Sequence, residues 1–123
     1  MFDITAGKTS YLLNKMADYT ALKQKVIANN IANVNTPGYQ RLDVSFDNEL
    51  NNVLEGDKDV RTLKLGIEEA GNEGGFNPER SDGNTVDIDK EIAEQMKNTM
   101  SYNVYIELMT KKYTILRNSM RVR

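Results

Sequence analysis

Two stretches at opposite ends of the chain repeat apolar residues every three or four positions, and this constrains the fold more than any other feature. From Thr9 to about Asn33, residues Leu12, Met16, Tyr19, Leu22, Val26 and Ile27 fall on one side of a helix. Neither Gly nor Pro interrupts the run, and Thr9 or Ser10 is a suitable N-cap. At the other end Thr99, Tyr102, Ile106, Met109, Tyr113, Leu116 and Met120 form a heptad-like seam in alternating steps of three and four. Ile88, Ile92 and Met96 carry that stripe backwards, and Asp87 or Asp89 stands where a carboxylate favours the positive end of a helix. The expected fold is mainly α, with long N- and C-terminal helices paired as a coiled-coil-like hairpin. Each stripe has the narrow width of a coiled-coil seam, so the helices are expected to pair with each other and with neighbouring subunits. An ordinary small helical bundle with a long loop is the alternative that the same periodicity allows.

The middle is irregular. Leu42, Val44 and Phe46 alternate as a short extended piece. Phe46, Leu50, Val53 and Leu54 then fit a short helix, and Leu63, Leu65 and Ile67 a weak strand. From Glu68 to Asn84 the chain is acidic and rich in turn residues, with Gly71-Asn72-Glu73-Gly74-Gly75, Asn77-Pro78 and Asp82-Gly83-Asn84, and reads as a mobile loop. A length of 123 residues fits one domain at most. Its expected parts are an N-terminal helix over 9–34, a turn, short helix and flexible acidic middle over 35–87, and a C-terminal helix over 88–121.

Charge is segregated in the same three parts. Lys8, Lys15, Lys23, Lys25 and Arg41 outnumber Asp3 and Asp18 in the first 41 residues. Residues 42–87 hold 12 acidic and 4 basic side chains, and residues 88–123 hold 7 basic and 4 acidic. The basic residues are dispersed at helical spacing rather than clustered, so a solvated helix face is the better reading and nucleic acid is not an expected partner. The basic tail Lys111, Lys112, Arg117, Arg121 and Arg123 complements the negative end of the second helix.

Chemistry is sparsely provided. The chain has no Cys and no His, which excludes thiol nucleophiles, His proton relays, Cys/His zinc sites and disulfides. Asp82, Asp87 and Asp89 lack the twelve-residue calcium-loop spacing and its closing Glu, and read as a turn and a helix cap. Gly74-Gly75 is not followed by Lys-Ser/Thr, so no phosphate loop is present. The expectation is no catalysis, no cofactor, no metal and no small-molecule substrate. The first apolar run, Tyr11-Leu12-Leu13, is closed by Asn14-Lys15, far short of a signal peptide core or a spanning helix. No membrane span is therefore expected, and if the protein leaves the cytoplasm it is expected to do so without a cleavable signal.

The most specific stretch is Ala28-Asn29-Asn30-Ile31-Ala32-Asn33-Val34-Asn35-Thr36-Pro37-Gly38-Tyr39. Asn is a poor residue for a helix interior, yet Asn29 and Asn33 share a face and their amides can cap carbonyls or bond to another backbone. Pro37 pushes Thr36 out of the helical region, and Pro37-Gly38 suits the centre of a type II turn. Helix termination explains the Pro-Gly but not the number of asparagines.

This stretch, with Gln24-Lys25-Val26-Ile27 before it and Asp43-Val44-Ser45-Phe46 after it, resembles the N-terminal signature of the flagellar rod, hook and hook-associated family. Asp82-Gly83-Asn84-Thr85-Val86-Asp87-Ile88-Asp89-Lys90-Glu91, then Asn98, Tyr102 and Lys111-Lys112-Tyr113, resemble the C-terminal one. The resemblance implies a structural subunit of the proximal rod in the flagellar basal body, within the periplasm, whose terminal helices associate in a helical stack after type III export. The implied partners are copies of itself, other rod proteins (FlgC-like), and ring and export-apparatus components at the rod base. The residues then expected at subunit interfaces are Leu12, Met16, Tyr19 and Val26 on the first stripe. In the turn they are Asn29, Asn30, Asn33, Asn35, Pro37, Gly38 and Tyr39. On the second stripe they are Tyr102, Ile106, Met109, Tyr113, Leu116 and Met120. A soluble helical binding or adaptor module linked to secretion is the alternative function.

Overall fold

The computed structural model describes residues 2–56, 59–70 and 80–121, with side chains from residue 7 onward. Helix α1 spans Phe2–Ala32 and helix α3 spans Ile88–Arg121. Between them lie strand β1 (Leu42–Ser45), helix α2 (Asp47–Leu54), a single 3-10 turn (Val60–Thr62) and strand β2 (Gly66–Glu69). The long terminal helices pack on each other as a hairpin. They run antiparallel, because Asn30 meets Glu91 while Thr20 meets Asn98.

Helix α1 starts well before Thr9, so Thr9 and Ser10 are interior residues and not caps. Ser and Thr are only mildly unfavourable inside a helix, so a cap-type residue does not enforce a boundary. At the C-terminal end the ladder tightens, with Val34 N–H donating to Ile31 (3.2 Å) and Thr36 N–H to Asn33 (3.0 Å). The Tyr39 N–H then reaches the Thr36 carbonyl at 3.3 Å across Pro37-Gly38. Gly38 has φ +71°, as the third position of a type II turn requires. Helix α3 is capped by Asp87, whose carboxylate accepts from Asp89 N–H at 3.0 Å and from Lys90 N–H at 3.4 Å.

The strands pair antiparallel, with Leu42 opposite Glu69, Val44 opposite Ile67 and Ser45 opposite Gly66. The expected strand through Leu63 and Leu65 begins only at Gly66. Leu63 instead is buried beside Phe46 and Val60, with Leu65 packed against them. Glu68 and Glu69 are paired in β2, and residues 80–84 are held against the end of α1, so the mobile loop expected over Glu68–Asn84 is not the state of either end. Its Gly-rich part at 71–77 and Pro78 lie outside the described residues, as does Arg123.

The stripe of α1 is covered by an unexpected partner. Tyr11, Leu12, Met16 and Tyr19 pack on the Phe46–Val60–Leu63 cluster, and Tyr19 stacks on Phe46 with ring centroids 4.8 Å apart. Over residues 11–19 the middle segment takes this face. Helix α3 is rotated relative to its expected seam. Its buried and half-buried positions include Glu91, Glu94, Asn98, Ser101, Tyr105, Met109 and Lys112, again in steps of three and four but mostly polar. Of the predicted seam only Met109 lies on this inward stripe.

The asparagine-rich turn and a candidate assembly surface

The turn is built around one amide. Asn30 is fully buried. Arg41 and Ala70 are bonded through the Ala70 N–H (2.9 Å), so the neighbouring Leu42 directs its N–H and carbonyl to the outer edge of β1. Asn30 meets both, accepting from the Leu42 N–H at 3.0 Å and donating to the Leu42 carbonyl at 2.8 Å. Its amide thus replaces the missing neighbouring strand. The second amide proton goes to Glu91 Oε2 at 3.1 Å, and Oδ1 also accepts the Tyr39 hydroxyl at 3.2 Å.

Glu91 is buried as well, and its other oxygen accepts from Arg41 Nε. Arg41 bridges on to Asp43 at 3.2 Å. Burial lowers the Arg41 pKa, but the bond to Glu91 and the charges of Glu91 and Asp43 outweigh it and hold the guanidinium above its ordinary value. Burial and the Glu91 charge raise the Tyr39 phenol. One carboxylate from α3 therefore ties together the end of α1, the turn and the start of β1.

A second asparagine closes the same end. Gly83 (φ +75°) turns the chain so that the buried Asn84 reaches three carbonyls just past the end of α1. Its Nδ2 lies 2.9 Å from Asn33 O, 3.1 Å from Val34 O and 2.8 Å from Thr36 O. Asn33 O and Thr36 O already accept from the Thr36 and Tyr39 N–H groups, and Val34 O from Arg80, so the Asn84 amide adds a long-range bond to the turn that follows the helix. Alongside it, Gly38 N–H donates to Asp82 O at 2.7 Å and Arg41 N–H to Thr85 Oγ1 at 2.8 Å. Among the described residues, every buried side-chain polar atom has a partner.

The residues singled out in the sequence therefore separate into two groups. Val26 and Asn30 are interior, and Leu12, Met16 and Tyr19 are half-covered by their own middle segment. Asn33 donates to Asn29 O at 2.8 Å and Asn29 to the Tyr39 hydroxyl at 3.2 Å, so these amides too bond within the chain. Asn29, Asn35, Pro37 and Gly38 are exposed, with Asn33 and Tyr39 half-buried. Tyr102, Ile106, Tyr113, Leu116 and Met120 are exposed along α3. The sequence reading assigned no structural role to Arg41, Glu91, Thr20 or Asn98, and saw Asn84 only as a turn residue. The available signal was Glu91 itself, a carboxylate one turn past the Asp87 cap and next to the apolar Ile92.

Residues 19–40, which hold this turn, match the family described as flagella basal body rod protein. The chain is 33% identical over 103 residues to the flagellar basal body rod protein FlgB of Bacillus subtilis (strain 168), covering 78% of this chain and 80% of that protein. It belongs to the FlgB family of flagellar basal body rod proteins. The FlgB of Borrelia hermsii is 31% identical over 83% of this chain and 87% of its own length. That of Escherichia coli (strain K12) is 30% identical over 73% and 76%. FlgB membership assigns the chain a structural role in the basal body rod. Among the described residues, no helix is long and apolar enough to cross a membrane.

Proposed function

We propose that the chain is a proximal-rod subunit that reaches its site by type III export. There it assembles helically with copies of itself and with other rod proteins, beside the ring and export components at the rod base, and motility depends on it. One observation carries this reading. The apolar seam of α3 is turned away from α1, leaving Tyr102, Ile106, Tyr113, Leu116 and Met120 exposed on a helix whose inward face is already filled. A contiguous exposed apolar stripe on a small subunit marks an interaction surface. Contacts between unlike surfaces that do not close on themselves build helical filaments. Val26 and Asn30, interior to the subunit, support assembly by shaping it rather than by touching a neighbour.

The test is a pair of substitutions at adjacent positions. Ile106→Asp places a carboxylate in an apolar contact, at a cost of several kcal/mol, and is expected to abolish rod assembly and swimming. Glu107→Ala removes only an exposed pair with Lys111 (2.8 Å) and is expected to leave both intact. Equal motility of the two strains overturns the reading.

A further inference from the structure

We infer that the exposed thioethers of Met96, Met100 and Met120 form a reversible oxidation site on α3, and that their conversion to sulfoxides bars the subunit from the rod. The inference rests on the rod-subunit reading and names a control acting on the same helix surface.

The chain holds no Cys, His or Trp, so its thioethers are the side chains that a peroxide oxidises first. The structure divides those with described side chains. Met16 packs on the Phe46–Val60–Leu63 cluster, and Met109 is half-buried on the inward stripe of α3. Met96, Met100 and Met120 are instead 62%, 69% and 76% exposed. Each has exposed apolar neighbours one helical turn away: Ile92 and Met100 flank Met96, Val104 follows Met100, and Leu116 precedes Met120. The three sulfurs are thus open to solvent within the surface that assembly covers, where an adaptable thioether suits contact with unlike neighbours.

The step balances with hydrogen peroxide as the oxidant. A sulfur lone pair attacks one peroxide oxygen, and the S–O bond forms as the O–O bond breaks. The other oxygen takes up the proton of the first and leaves as water. Sulfur loses two electrons and the peroxide gains them. The product is a polar, chiral group in place of a flexible apolar one, and reductases return it to the thioether. On the free subunit, water hydrates the new sulfoxide oxygen. Beneath a neighbour, the flanking Ile92, Val104 and Leu116 side chains offer it no donor, and burying an acceptor without a donor is unfavourable. Oxidation therefore acts on the contact and leaves the fold. Once the contact is made the sulfurs are covered, so the sensitive interval ends with incorporation.

Two measurements on the full-length chain test this. In the first, the purified chain and isolated basal bodies are exposed to the same hydrogen peroxide solution, and sulfoxides are located by peptide mass spectrometry. In the free chain Met96, Met100 and Met120 are expected to oxidise before Met16 and Met109. In basal bodies the same three are expected to oxidise at least about tenfold more slowly than in the free chain. Equal rates in the two forms overturn the inference. In the second, Met96→Gln, Met100→Gln and Met120→Gln are combined as a polar stand-in for the sulfoxides. Met96→Leu, Met100→Leu and Met120→Leu together give an apolar surface that cannot form them. Each set replaces the chromosomal copy in the bacterium that encodes the protein. The Gln strain is expected to carry at least about tenfold fewer complete basal bodies by electron microscopy than the Leu strain, with circular dichroism of the purified Gln variant unchanged. Equal counts, or a Gln variant that has lost helix, overturn the inference. Ile106→Asp is run in parallel. If it blocks assembly while the Gln strain matches the Leu strain, the rod-subunit reading stands and the oxidation site falls.

Discussion

The side-chain amide of Asn98 donates to the backbone carbonyl of Thr20 at 2.8 Å, across a sequence separation of 78 residues. The same amide reaches Gln24 Oε1 at 3.1 Å, and Lys23 pairs with Glu94 at 3.2 Å one turn away. With Asn30–Glu91, these contacts form a polar ladder along the helix pair. Leucine seams tolerate sliding by a heptad, whereas a buried amide has few alternative partners, so such groups set register.

Replacing Asn98 tests that ladder. Asn98→Ala leaves Gln24 without its partner and is expected to destabilise the chain by about 1–3 kcal/mol. The exposed Asn103→Ala is expected to change stability by less than about 0.5 kcal/mol. Urea denaturation followed by circular dichroism measures both.

The asparagines of the turn are expected to separate on single substitution. Asn30→Ala strips the Leu42 N–H and carbonyl and Glu91 of a buried partner, and should lower stability by about 3 kcal/mol. Asn29→Ala and Asn33→Ala affect exposed or half-buried amides, and Asn29→Ala also replaces a weak helix former by a strong one, for changes within about 0.5 kcal/mol. Similar midpoints for all three variants would refute the central role of Asn30.

Asn84→Ala removes the long-range donor shared by three carbonyls of the turn. Its expected signature is local: faster amide hydrogen exchange in residues 33–39, with α3 beyond its first turns still protected. A global loss of protection, or none, contradicts that role.

Alkaline pH should weaken the fold through Tyr19 and Lys23. Burial raises the Tyr19 phenol, with Lys23 opposing it. Burial lowers Lys23, but Asp43, Tyr19 and Glu94 outweigh that effect and raise it. Both folded-state values lie above the unfolded ones. Their contribution is therefore complete below the unfolded values near pH 10 and is lost as pH rises through the folded ones. Urea midpoints are expected to fall above about pH 10. Tyr19→Phe, which keeps the ring on Phe46, should reduce that fall.

What was legible in the sequence follows from how local its cause is. The helical period of both ends, the Pro37-Gly38 turn and the Asp87 cap are written over a few consecutive residues each. The inward face of α3 is not, because Glu91, Asn98 and Ser101 are polar and a hydrophobic count places them outside. Their burial depends on Arg41, Asn30 and Thr20, partners brought near only by the completed hairpin. The same cause misplaced β2: Leu63 alternates like a strand residue, but Phe46 and α1 offer it more contact beneath the 3-10 turn. Asn84 was read as a turn residue because its three acceptors lie 48 to 51 positions earlier.

That separation has a kinetic consequence. The turn after α1 lacks its long-range amide donor until residue 84 has emerged from the ribosome. At about 5–20 residues per second of synthesis the interval is roughly a few seconds, very long against the ~1 μs in which a helix forms. Throughout it the turn after α1 has only its local bonds, Thr36 N–H to Asn33 O and Tyr39 N–H to Thr36 O. The N-terminal helix and its turn thus form before the donor that ties them to the rest of the chain arrives, and the Asp82-Gly83-Asn84 segment closes over them afterwards.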